Sequence, residues 1–147
     1  QDNNFDKLIY NQYLGMSDEA KEQFDIYYSF FMGHQIFDMP FENPTVSKYA
    51  GYNTDIYGDR SLDLSLELKT YQGQEIICGM DGDISLLDNG FSVYNSKYGT
   101  IFYDGAEQPE EESVKQGDVV SSSSGDILRI TFVDNEGNYI NPLLIFS

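Results

Sequence analysis

The chain has 147 residues, enough for one domain that buries roughly 70% of its unfolded surface. Eight Lys and Arg stand against 25 Asp and Glu, a formal net charge of −17. So acidic a surface repels phosphate backbones and anionic lipid, which excludes nucleic acid as the main partner.

The chain has 12 Tyr and 10 Phe and no Trp. Aromatic residues punctuated by Gly suit strands and short turns better than long helices. Cys78 is the one cysteine, so no internal disulfide can form. Its run Ile76-Ile77-Cys78 reads as a buried strand. No stretch is long and apolar enough for a membrane helix. Gln1-Asp2-Asn3-Asn4 reads as a trimmed end, so any secretion signal or membrane anchor is expected ahead of it.

The first 38 residues are expected to form a helical segment. Phe5, Leu8, Ile9 and Tyr13 follow helical spacing, and Gly15 suits a C-terminal cap. Ser17 suits an N-cap, with Asp18 and Glu19 favouring the dipole of a second helix. Ala20, Phe24, Tyr27, Tyr28 and Phe31 make its packing stripe, and Gly33 ends it. His34, beside that end, is read as a capping or surface residue.

Residues 39–147 are expected to be β. Pro40 and Pro44 stop helix. Leu62, Leu64, Leu66 and Leu68 alternate with Asp63, Ser65 and Glu67, which predicts one strand of period two. Further strands are predicted over Glu75–Gly79, from Ile84 to Leu87, over Phe91–Tyr94 and Thr100–Tyr103, over Ile127–Val133 and Tyr139–Phe146. Asp81-Gly82, Asp88-Asn89-Gly90 and Asn135-Glu136-Gly137-Asn138 mark turns between them. Asp104–Glu112 reads as an acidic loop and Ser121–Gly125 as a flexible polar link. The expected fold is mainly β, an antiparallel sandwich or partly open barrel.

These motifs, in this order, resemble the M23 family of zinc endopeptidases (the lysostaphin or LytM type). The resemblance runs through Ser47-Lys48-Tyr49-Ala50-Gly51-Tyr52, then Asp59-Arg60-Ser61-Leu62-Asp63-Leu64. It continues through the stretch from Gly73 to Ile84 and through Val114-Lys115-Gln116-Gly117-Asp118-Val119-Val120, and it ends at Gly137, Asn141 and Pro142. It spans about 105 residues and implies a duplicated β motif. It also implies where a zinc site would lie. The first ligand histidine falls at Asp59 and the carboxylate ligand at Asp63. A His-x-His pair falls at Leu128 and Ile130, and a further catalytic histidine at Gly105.

A zinc peptidase needs neutral imidazoles, a carboxylate and an open position for water. No histidine follows His34, so no metal ligand set, cofactor or catalytic residue is expected. The resemblance then implies a degenerate domain that binds a protein partner or regulates it. The alternative is a domain that binds peptidoglycan or another glycan in the inherited groove, where tyrosines stack on sugars. The location implied is extracytoplasmic, at the cell surface or secreted. Membrane contact is expected only through a removed N-terminal anchor. Leu128 and Ile130 are expected to floor the old cleft beside Asp63. Tyr103, Asp104, Glu110, Glu111 and Glu112 are expected at its rim. A third possibility, a lipoyl-like or sugar-transport-like sandwich, lacks the Asp-Lys turn or the histidine that it needs.

Three other groupings have simpler readings. Asp59 with Asp63 has the composition of a glycosidase pair, without further support. Asp134-Asn135-Glu136-Gly137-Asn138 looks faintly like a calcium loop but fits a hairpin turn better. If Asp63 keeps its position without a metal, it needs a cation, and Arg60 and Arg129 are the two candidates.

Overall fold

A computed structural model describes Leu14, Gly15, Ser17, residues 37–54 and residues 56–146. Apart from those first three residues, the two helices expected between Asn3 and Gly33 lie outside the described residues, and so does His34.

Twelve strands follow Phe37. They are β1 (Val46–Lys48), β2 (Gly51–Thr54), β3 (Arg60–Asp63), β4 (Leu66–Lys69), β5 (Glu75–Ile77) and β6 (Gly82–Leu87). Then come β7 (Gly90–Asn95), β8 (Gly99–Asp104), β9 (Ser113–Val114), β10 (Val119–Ser122), β11 (Ile127–Asp134) and β12 (Tyr139–Ile140). Eight of them form one antiparallel sheet in the order β1-β4-β11-β8-β7-β6-β9, with β12 pairing to β11 beyond the end of β4. The sheet is open, ending at β1 on one side and β9 on the other. β5 and β10 make a separate ribbon, and β2 and β3 a separate hairpin.

One face of the large sheet carries the core. Strand period two puts Phe91 and Val93, Ile101 and Tyr103, and Leu128, Ile130 and Phe132 on that face, all essentially buried. Leu66 and Leu68 join them from β4, and Ile76, Cys78 and Val120 from the ribbon. Phe37 and the C-terminal residues Leu143, Ile145 and Phe146 complete the cluster. Phe37 N–H donates to Ile145 O at 3.2 Å and its ring meets Tyr98 edge-on at 5.2 Å. The residues just ahead of Met39 are therefore tied to the β body.

Three strand expectations are corrected. The alternating run from Leu62 to Leu68 is two strands, β3 and β4, that belong to different sheets. The break lies at Leu64-Ser65, where the Asp63 carboxylate accepts from Ser65 N (3.0 Å) and Ser65 Oγ (2.6 Å). That side-chain turn competes with the ladder and redirects the chain. Ser121–Gly125 is no flexible link. Ser121 and Ser122 close β10, and buried Ser123 shares a hydrogen bond with Thr70 (Oγ to Oγ1, 2.7 Å) and donates to Gly125 O (2.9 Å). The expected last strand stops at Ile140. Asn141 Oδ1 then accepts from Leu143 N, and Pro142 opens a short 3-10 turn through Leu144.

Candidate functional site

The site is built around Asp63, the last residue of β3. Three polar neighbours converge on it. Arg129 Nη2 lies 3.2 Å from Oδ1 and 3.0 Å from Oδ2, and Lys48 Nζ lies 3.3 Å from Oδ2. Ser65 donates from its hydroxyl and its backbone N–H. The same hydroxyl accepts from Arg129 Nε at 2.8 Å, and Lys48 Nζ also donates to Ser65 O at 3.2 Å. Each member thus orients another.

This cluster is tertiary in origin. Lys48 comes from β1, Asp63 from the hairpin and Arg129 from β11, an inner strand of the large sheet. Burial works to raise the Asp63 pKa. The two Ser65 hydrogen bonds, then the Lys48 and Arg129 charges, outweigh it and hold the carboxyl at about 2. Of the two arginines read as candidate partners, Arg129 takes the carboxylate. Arg60 instead lies over the Tyr52 ring, 4.8 Å from its centroid.

The other predicted positions are not gathered here. Leu128 and Ile130 flank Arg129 in β11, so their side chains leave the opposite face, and both are fully buried. The expectation that they floor an accessible cleft beside Asp63 is therefore corrected: they are core residues. Tyr103 is corrected likewise. It is buried, stacked on Phe91 at 4.8 Å, and its hydroxyl accepts from Gly79 N at 3.1 Å, so it is no rim residue. Burial drives its phenol pKa well above the ordinary range. Asp59 is exposed at the far end of β3. Four residues of extended strand put it roughly 13 Å along the chain from Asp63. That is too far for a shared metal and beyond the separation of paired glycosidase carboxylates.

Gly105 holds a position that no side chain fits. Its φ is +98°, and a Cβ built on it would lie 2.4 Å from Ile127 O. Asp104, Glu110, Glu111 and Glu112 are exposed. The loop that carries the glutamates is pinned at several points. Gln108 Nε2 donates to Leu87 O at 2.6 Å, Glu107 N to Ser122 O at 2.9 Å, and Glu112 O accepts from Ile84 N at 2.8 Å. In the turn after β11, Asp134 Oδ1 accepts from Glu136 N and Asn138 N, both at 2.9 Å, which commits that carboxylate to its own hairpin. Among the described residues no three His, Cys, Asp or Glu side chains converge as a metal-holding group.

Sequence reasoning missed Lys48 and Ser65. The signal for Ser65 was present as Asp63-Leu64-Ser65, an Asx-type turn pattern inside an apparent strand. Lys48 carried no such signal, because only the pairing of β1 with β4 brings it near.

No protein-family model matches the sequence, and no curated protein matches it. Solved structures do. The catalytic domain of the prophage-encoded M23 protein EnpA from Enterococcus faecalis superposes with a TM-score of 0.56 at 14% identity, over 73% of this chain and 95% of that one. Csd3 from Helicobacter pylori gives 0.63 at 16% identity, over 76% of this chain and 35% of that longer one. A chain of the SpoIIQ–SpoIIIAH pore-forming complex gives 0.57 at 15% identity, over 76% of this chain and 92% of that one. The fold is therefore M23-like: mainly β, antiparallel and open.

Proposed function

We propose that this chain is a catalytically inactive M23-like domain that acts as a protein-binding or regulatory module at the cell envelope. One observation carries the reading. The carboxylate that the resemblance puts at a metal-ligand position, Asp63, is already neutralised by two cations of the protein itself. A guanidinium and an ammonium supply the positive charge that a divalent ion would supply. Glycine at position 105 supports the same reading, since the local backbone leaves no room for an imidazole there.

The partner-binding half draws on the fold's presence in a two-protein assembly, the SpoIIQ–SpoIIIAH pore-forming complex. An extracytoplasmic location fits the same comparison and is tested by fractionating cells that make the full-length protein.

The deciding experiment has two arms. Dialysis against zinc followed by metal analysis should leave less than about one equivalent bound, since tight sites use three or more protein ligands. Incubation with peptidoglycan cross-bridges should release nothing, because no water is metal-polarised. Zinc-dependent release of fragments that disappears in Asp63→Ala refutes the proposal. Co-sedimentation with purified wall material, without hydrolysis, shifts the function to glycan binding.

A further inference from the structure

The face of the sheet opposite the core holds a second feature beside the Asp63 cluster. Cross-strand registers align Thr131 with Phe102, Phe102 with Ser92, and Ser92 with Ser85 in one row across β11, β8, β7 and β6. Ser92 lies between core residues Phe91 and Val93, so its hydroxyl leaves the outer face. The residue is only 6% exposed, its backbone pairs with both neighbouring strands, and among the described residues its hydroxyl has no hydrogen-bond partner. A buried hydroxyl with no partner among the residues around it is uncommon and costly. Ser92 and Ser85 are small beside Phe102, so little side-chain bulk stands over this part of the row, which forms a shallow recess by side-chain size. Phe102, half-buried, gives it an apolar wall.

The rows on either side are acidic. Asp104 stands in one, facing Arg129, whose charge is already committed to Asp63. Asp83 stands in the other, opposite Tyr94. Both aspartates are exposed. Three inter-strand gaps make the floor roughly 14 Å long, which holds about four residues of extended chain.

We propose that this recess takes an extended basic segment of a protein partner. A backbone or side-chain polar group of the segment satisfies the Ser92 hydroxyl, a small apolar side chain packs on Phe102, and Lys or Arg side chains reach Asp83 and Asp104. The inference rests on the protein-binding role proposed above and names the chemistry of the partner.

The test uses the isotope-labelled chain at physiological salt and two blocked pentapeptides, one alternating lysine with valine, the other glutamate with valine. The lysine peptide should shift the amide signals of Ser92, Phe102 and Thr131, and the glutamate peptide should not. Ser92→Ala should weaken the lysine peptide several-fold, and the double change Asp83→Asn with Asp104→Asn at least tenfold, all with unchanged circular dichroism. Shifts confined to Glu110–Glu112, or spread over the whole acidic surface without a Ser92→Ala effect, overturn the inference, as does equal binding of the glutamate peptide. No binding of either peptide overturns it too, while the zinc and hydrolysis arms above leave the inactive-domain reading standing or falling separately.

Discussion

Arg129 Nη2 bridges both carboxylate oxygens of Asp63, at 3.2 and 3.0 Å, across 66 residues of sequence. The contact joins the β2–β3 hairpin to an inner strand of the large sheet, β11. Asp63 is partly buried, with 30% of its side chain exposed, and Arg129 is 43% exposed. The pair is screened by solvent but held in place by Ser65.

Arg129→Met should therefore cost about 1 kcal/mol of stability, read from urea unfolding, because solvent discounts the charge interaction. Lys48 and Ser65 remain in place, so the loss is partial. The carboxyl pKa of Asp63, followed by NMR, should rise. An unchanged pKa would mean that Arg129 does not act on Asp63 in solution.

The acid limb of stability should carry the same signature. The folded Asp63 pKa of about 2 lies below the roughly 3.9 of an unfolded aspartate. Stability from this group is therefore complete above about pH 4 and lost as the pH falls towards 2. Asp63→Asn should flatten that stretch of the stability curve and leave its shape near neutrality unchanged.

Gly105→Ala should destabilise the fold by roughly 2–4 kcal/mol, combining a left-handed backbone with overpacking against Ile127 O. Gly125→Ala, where a Cβ would meet nothing within 4 Å, should be near neutral. Equal melting temperatures for the two variants would contradict the packing described here.

Ile130→Ala should cost about 2–5 kcal/mol as a cavity in the core. Ile130→Asp should leave the chain unfolded, because it buries a charge among Leu66, Tyr103 and Leu128. A folded Ile130→Asp variant would place this residue on the surface after all.

Cys78 should be unreactive in the native chain. Burial pushes its thiol up to about 11, and Sγ donates to Met80 O at 3.0 Å. A disulfide reagent near about pH 8 should modify it only after denaturant is added, since the thiolate is the reactive form.

Local pattern was enough to locate β6, β7, β8 and β11, because alternating burial and Asx-Gly turns are written in neighbouring residues. It also gave the order of motifs that resembles M23 domains, and the absence of any histidine after His34. Period two even fixed which β11 side chains share a face. It could not say which face is the core. Leu128 and Ile130 read as a cleft floor because the M23 resemblance puts ligands there, whereas packing in the cluster with Leu66 and Phe91 buries them. The arrival of Lys48 beside Asp63 and the choice of Arg129 over Arg60 were decided by tertiary structure alone. Each depends on a contact between residues far apart in sequence. A carboxylate drawn partly out of water is stabilised by whichever cation the folded sheet brings within hydrogen-bonding distance, not by the arginine nearest to it along the chain.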